Sequence, residues 1–453
     1  MRLLLTLFLF VSLSLNSLAQ FKVEGTISGY LNKNLILLEY FGDKHIFIDS
    51  TGTDDSGWFS FELSNAAPAG LYSLAIGSSP LFNFIFNTEN IILKFEPDGF
   101  SPPEFIQSIE NLIYYDYLAQ SAQYDQKAGM LIDILQYYPK TDSFYFFTGK
   151  HFENLQTAHR EYTDRIIQDY PATLVSHIVR SDRPVMIPKE MNWDDYLSFN
   201  QSHYFDDVDF GDTSLINTNV FTAKAIDYLG FYSINSQNKE LQEQVFIRAV
   251  DTVLLKAMEN GKVYDFLMQY LIEGFEMYGF DRVISHIAEN YEPSSTCVNE
   301  DRKSELQKRM ENLRKLAIGN IAPDIVIENA QGEKMNLAGI DSELTVILFW
   351  ASWCPHCKQM IPGLKRLYQE GDVPDFEILA ISIDTSATDY TQAIAVQETA
   401  WINYAELNGW DSKAVVDYSI YATPTMFILD RNRKILGRPV SVSDLRYELE
   451  KLK

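Results

Sequence analysis

The sequence predicts three folded regions in succession: a β-sandwich, an α-helical stretch and a C-terminal α/β domain. Up to Phe95, short runs alternate apolar and polar residues between turn-forming clusters. Beyond Phe105 the apolar residues recur at spacings of three and four, the period of amphipathic helices. From Gly319 onward, apolar runs short enough for buried strands alternate with helical patterns. A chain of 453 residues is too long for a single core, so several domains are expected.

Residues 1–19 are expected to be a signal peptide. Met1-Arg2 is a basic start, residues 3–15 are apolar, and Ser17 and Ala19 put small residues at the −3 and −1 positions before Gln20. The apolar run is short for a membrane span, and no cysteine follows the cleavage point to carry a lipid. Export to the periplasm as a soluble protein is expected, in preference to a retained N-terminal anchor.

Residues 20–99 form the expected sandwich. Its seven predicted strands are 21–28, 34–40, 45–49, 58–63, 71–76, 81–86 and 91–95, with Gly42-Asp43, Asp54 to Gly57 and Asn87 to Asn90 among the turns. Trp58 and Phe59 read as core aromatics. The region contains no nucleophile or metal cluster.

Residues 100–315 are the expected helical domain and connector. Pro97 to Pro103 breaks the chain, and the helical period runs through 105–118, 130–135, 151–170, 220–232, 241–259 and 263–290. Pro171, Pro184, Pro188 and Gly211-Asp212 separate these runs. The Tyr and Phe stripes read as packing, and the isolated histidines 151, 159, 177, 203 and 286 lack metal-ligand spacing. Residues 294–315 read as a polar, charged connector. It contains Cys297, an odd thiol available for intermolecular pairing or simply incidental.

In residues 316–453, strands at 344–350 and 376–383 alternate with helices at 354–368, 388–398 and 412–418. A hairpin over 425–429 and 434–437 and a helix over 443–452 complete a sheet with a mixed edge. The chemistry lies where the first of these strands runs into its helix, at Cys354-Pro355-His356-Cys357. Two thiols three positions apart on a first helical turn can close and reopen a disulfide. The helix N-terminus favours the thiolate of Cys354, and His356, when protonated, would favour it further. The rival reading is half of a zinc site. It needs two more ligands, and the chain has 3 cysteines and no second Cys-x-x-Cys. No metal is expected, and no cofactor beyond the redox-active Cys354–Cys357 pair.

The net charge of −25 (37 basic against 62 acidic residues) repels phosphate backbones and anionic headgroups, so nucleic acid is excluded as a partner. Oligomeric state is not set by the sequence.

Phe349-Trp350-Ala-Ser-Trp353-Cys354-Pro-His-Cys357-Lys358, with Pro362 behind it, resembles the active-site strand and helix of thioredoxins. Tyr421-Ala-Thr-Pro424-Thr-Met-Phe-Ile-Leu-Asp430 resembles the loop of that fold whose proline is cis and faces the disulfide. Ala322-Pro-Asp-Ile with Gly332 is similar to the exported TlpA-like branch, related to reductases of cytochrome c maturation. The order of domains resembles exported thiol–disulfide proteins of Gram-negative bacteria.

The resemblance implies a C-terminal thioredoxin-like fold and a thiol–disulfide oxidoreductase acting on protein thiols and disulfides of the cell envelope, with a membrane electron donor or acceptor compatible. It implies that Cys354 is the exposed attacking thiol and Cys357 the resolving one. Trp353 would shield the disulfide, Pro355 and His356 would tune it, and Pro424 would close a substrate groove where the backbone of Thr423 pairs with substrate. One departure stands out. Thioredoxins carry a buried aspartate six residues before the first cysteine, where this chain has Leu348; Glu377, on the neighbouring strand, is the candidate substitute base. Two other readings stay open: a peroxiredoxin-like peroxide reductase, whose Pro-x-x-x-Thr-x-x-Cys motif is missing here, and a binding or scaffold protein in which the redox domain is secondary. The Pro-His pair predicts a disulfide more oxidising than thioredoxin's, above about −270 mV.

Overall fold

The computed structural model describes residues 20–99, 101–188, 191–234, 238–294, 300–328 and 334–452. The expected signal segment and Cys297 lie outside them. The chain packs as two compact units divided between Phe231 and Tyr232, so the boundary falls inside the helical stretch.

The first unit opens with β1 (Gln20–Ile27), β2 (Asn34–Phe41), β3 (Lys44–Gly52), β4 (Trp58–Ser64), β5 (Gly70–Ile76), β6 (Ser79–Phe86), β7 (Ile91–Phe95) and β8 (Glu104–Gln107). They form two four-stranded sheets, in orders β4-β1-β7-β8 and β3-β2-β5-β6. Val23, Phe59 and Phe61 from one sheet share a core with Leu37, Tyr72 and Phe84 from the other, as a sandwich requires. Phe59 is fully buried, but Trp58 is 45% exposed. Neighbouring strand residues face opposite ways, and along β4 only the face that carries Phe59 is buried.

The eighth strand also differs from the sequence reading. Phe105 and Ile106, which fit a helical period, lie instead in β8, which adds to β7. The helix α1 (Ile109–Tyr137) begins after Ser108, whose hydroxyl caps Asn111 N–H, and runs unbroken through the two predicted helical segments. It is followed by α2 (Ser143–Asp169), α3 (Leu174–Asp182), α4 (Tyr196–His203) and α5 (Val220–Gly230). Buried Glu110 caps α3, accepting from the backbone N–H groups of Leu174 and Val175 at 2.8 Å each.

The second unit begins with α6 (Lys239–Ala257), α7 (Gly261–Met277), α8 (Asp281–Asn290) and α9 (Glu300–Lys315). The predicted helix over 263–290 is broken between α7 and α8 by Gly279, whose φ of +68° suits glycine. A hairpin of β9 (Val326–Glu328) and β10 (Lys334–Asn336) precedes the main α/β layer. That layer comprises β11 (Leu344–Trp350), α10 (Pro355–Glu370), β12 (Glu377–Ser382), α11 (Ala387–Gln397), β13 (Ile402–Ala405), α12 (Lys413–Asp417), β14 (Thr425–Asp430), β15 (Ile435–Gly437) and α13 (Val442–Glu450). The sheet order is β13-β12-β11-β14-β15. The first three strands are parallel, and β14 and β15 are antiparallel. Every residue of β11 is buried, which is why its sequence is a continuous apolar run without alternation. The sequence did not reveal β13, a four-residue edge strand that is only half-buried.

The α6–α8 helices are joined to the C-terminal layer through ionic contacts. Glu240 pairs with Lys451 at 3.3 Å, and Asp281 lies 3.8 Å from Arg438. Burial pushes Asp281 up to about 7, against the pull of Arg438 and Lys239 and with help from Glu243 and Glu448. A carboxyl whose folded pKa is raised favours folding when protonated. Its stabilising contribution is complete below about pH 4 and is lost as pH rises through 7. Urea titrations of the chain should show stability falling over that window by up to about 1.4 kcal/mol per pH unit from this group. Asp281→Asn should remove that component; an unchanged slope would refute it.

Candidate active site

β11 delivers the chain to the thiols. Its last residue, Trp350, is followed by Ala351-Ser352-Trp353, and Cys354 then serves as N-cap of α10 with Pro355 at the first helical position. The Cys354 sulfur takes the role usually played by a serine or aspartate oxygen, accepting the N–H of Cys357 at 3.2 Å. Both cysteines are free thiols. Contrary to the exposed position expected for Cys354, it is 3% exposed and Cys357 1%. The loop before β14 comes up against it: the Thr423 carbonyl lies 3.3 Å from Cys354 Sγ, and the Thr423–Pro424 peptide bond is cis.

This geometry separates the two thiols electrostatically. Burial opposes ionisation of Cys354, but the hydrogen bonds it receives outweigh that. They come from the Cys357 thiol, the Thr423 side chain and the backbone amides of Cys357 and His356, and they hold Cys354 below the ordinary thiol range. Burial first, and donation to the Cys354 sulfur second, push Cys357 up to about 12. Iodoacetamide labelling followed against pH should therefore modify Cys354 first, with a midpoint below the free-cysteine value of about 8.5. Cys357 should stay unmodified until strongly alkaline pH. Labelling of both at one midpoint would contradict this picture.

The structure brings Cys354, Cys357, Pro355, His356, Thr423 and Pro424 together around one sulfur. His356 contributes its backbone amide to that sulfur, while its side chain is exposed and lines the cleft beside Pro424. The sequence reading placed weight on the imidazole; the fold places it on the amide. Trp353 is 54% exposed and lines a separate groove with Lys358, Pro362 and Lys365.

Leu348 is buried in the middle of β11, paired with Ala380 and Met426. Glu377, the candidate substitute base, lies at the other end of the sheet. It pairs with Thr345, whereas the thiol end of β11 pairs Trp350 with Ser382. Five strand positions at about 3.3 Å each separate them, and the Glu377 carboxylate accepts from Tyr368. It cannot serve Cys357 directly.

The residue that sequence reasoning missed is Asp384. It is 1% exposed and sits just past the carboxyl end of β12. It accepts from Ser352 N at 3.0 Å, Ser352 Oγ at 2.7 Å and Ser382 Oγ at 2.6 Å. It thereby ties down the turn that presents Cys354. The signal available was its place after a buried parallel strand, where sites of open α/β sheets gather. Among the described residues, no cluster of three or more metal-ligating side chains occurs.

The AhpC/TSA family model matches residues 318–437. The thiol-disulfide oxidoreductase ResA of Geobacillus thermodenitrificans is 25% identical over 149 residues, 30% of this chain and 79% of that protein. The thioredoxin-like protein YneN of Bacillus subtilis is 28% identical over 113 residues, 25% of this chain and 65% of its own length. A solved thioredoxin-like protein from Bacteroides caccae aligns with a TM-score of 0.44 at 19% identity, covering 60% of this chain and 98% of that one. The C-terminal domain of this chain thus has a thioredoxin-like fold, and it is similar to the AhpC/TSA family model and to proteins named thiol-disulfide oxidoreductases.

Proposed function

We propose that the chain is an exported thiol–disulfide oxidoreductase that exchanges disulfides with protein substrates of the cell envelope through Cys354 and Cys357. The observation that carries this reading is the split between the two thiols: Cys354 favoured as thiolate at the helix N-terminus, and Cys357 held protonated beneath it. The Cys354 thiolate attacks one sulfur of a substrate disulfide. A mixed disulfide forms and one substrate thiolate leaves, taking a proton from solvent. Cys357 then loses its proton and attacks the Cys354 sulfur, releasing the second substrate thiolate. Two electrons pass to the substrate and the enzyme is left with the Cys354–Cys357 disulfide. The reverse sequence oxidises a substrate dithiol.

No cofactor takes part in these steps. Pro355 and His356 border the reacting sulfurs, Trp353 lines the separate groove beside Lys358, and Thr423 and Pro424 form the edge against which substrate lies. Periplasmic placement rests on the leader-like residues 1–19, and the organisation into segments 1–19, 20–99, 100–315 and 316–453 on the sequence pattern. Among the described residues, no helix is long and apolar enough to cross a membrane. Electrons would be exchanged with a separate donor or acceptor, for which a membrane protein is suited.

The test is equilibration of the chain in glutathione redox buffers together with turnover on a protein disulfide. A single two-electron couple above thioredoxin's value of about −270 mV is expected. Because the imidazole of His356 is exposed and its amide makes the contact, His356→Gly should move that potential by less than about 30 mV, a factor of ten in equilibrium. Turnover of hydrogen peroxide with none of a protein disulfide would overturn the proposal in favour of a peroxide reductase.

A further inference from the structure

Beside the thiol pair lies a cleft of about 1020 Å³, at the upper limit of what small-molecule sites enclose. One of its walls is the active-site edge itself: His356, Met360, Thr423 and Pro424. The facing wall comes from outside the family-matched segment 318–437, from the C-terminal end of α7 and from α9, through Glu276, Met277 and Arg309.

This second wall is fixed in place. Arg309 pairs with Glu276 at 2.6 Å and Glu273 at 3.3 Å, and its guanidinium lies over the Tyr421 ring at 5.1 Å. Tyr421 belongs to the loop that carries Thr423 and Pro424. Gly279, just beyond α7, packs so closely that a Cβ there would meet Val440 at 2.9 Å. The helix end is therefore seated on the cleft rim.

The surface left open is apolar. Met277 is 74% exposed, Tyr421 54% and Val440 40%, all facing one cleft next to a reactive sulfur. Exposed apolar groups gathered in this way mark a surface for a partner, and a methionine adapts to side chains of different shape. Arg309 is paired with Glu273 and Glu276 of its own wall, and Arg438 lies 3.8 Å from Asp281, which leaves contact with apolar side chains as the main attraction on offer.

We infer that α7 and α9 form a specificity wall, with Met277 at its centre, that selects an extended apolar polypeptide segment flanking the target cysteine of the substrate protein. The inference rests on the thiol–disulfide function proposed above and adds where the substrate lies and what recognises it. Met277 acts on substrate binding, not on the sulfur chemistry, so its effect falls on KM.

The experiment uses the full chain with excess dithiothreitol as electron donor. Three disulfide substrates are compared: a peptide with Leu and Val flanking its cysteine, one of equal length with Gly and Asp there, and hydroxyethyl disulfide as a small neutral probe. The wild-type chain should prefer the apolar peptide over the polar one by about tenfold or more in kcat/KM. Met277→Glu should raise KM for the apolar peptide about tenfold with kcat little changed and with hydroxyethyl disulfide turnover unaffected. Met277→Leu should keep wild-type values. Equal use of the two peptides, or an equal loss on all three substrates in Met277→Glu, would overturn the inference. Failure of the wild-type chain on all three, hydroxyethyl disulfide included, would instead overturn the exchange function itself.

Discussion

Cys354→Ser is expected to bring turnover on a protein disulfide below one thousandth of wild type, whereas Cys357→Ser should capture substrates covalently. A serine hydroxyl does not ionise near neutral pH and cannot displace a sulfur, so the first step disappears with Cys354. Without Cys357, the first step still proceeds and the mixed disulfide on Cys354 has no internal thiol to release it. Non-reducing gels should then show higher-mass adducts that collapse with dithiothreitol. The Cys354 N-cap role passes readily to serine, so the fold survives and the loss can be read as chemistry. Cys297→Ser should leave turnover within about twofold of wild type. If Cys297→Ser were as inactive as Cys354→Ser, a two-thiol mechanism would be untenable.

Asp384→Ala should cost the C-terminal unit about 3 kcal/mol of stability and disturb the thiol site at the same time. The carboxylate is buried and takes hydrogen bonds from Ser352 N, Ser352 Oγ and Ser382 Oγ. Truncation leaves those donors without a partner where water is excluded, the expensive way to lose a hydrogen bond. Ser352 is two residues before Cys354, so loosening it displaces the N-cap sulfur from the Cys357 amide. Urea unfolding would read the first effect. The pH midpoint of Cys354 labelling, shifted upward toward an ordinary thiol, would read the second. Asp384→Asn, which keeps the shape and one acceptor oxygen, should recover part of both. A stable Asp384→Ala chain with an unshifted midpoint would mean the turn is held by other contacts.

The thiol pair was legible because its signal is local. A buried strand, a tight turn and a helix N-terminus follow one another within 344–357, and a candidate exchange site needs nothing else to be read. The sandwich was legible for a related reason: two-residue alternation is dictated by the pleat. Where alternation had to be read for direction it misled, since Trp58 and Phe59 cannot share a face. Helix ends were harder. Phe105 and Ile106 satisfy a helical period as readily as a strand, and pairing with β7 decided the matter.

What the sequence by itself determined is the order of β, helical and α/β regions and which pair of cysteines is proposed to react. These depend on periodicity and on neighbours a few residues apart. What only the tertiary structure decided is how those sulfurs are set. Cys354 and Thr423 are 69 residues apart yet in contact, and Asp384 reaches back across the sheet to Ser352. Glu377, adjacent to β11 in the strand order, turned out to be at the wrong end of it. Arg309 lies over Tyr421 only because α9 folds onto the domain it precedes. Contacts of this kind close long loops, and their cost is met by the burial of the whole core. No local pattern encodes them, so the environment of a reactive group is a property of the fold even where the group itself is plain in the chain.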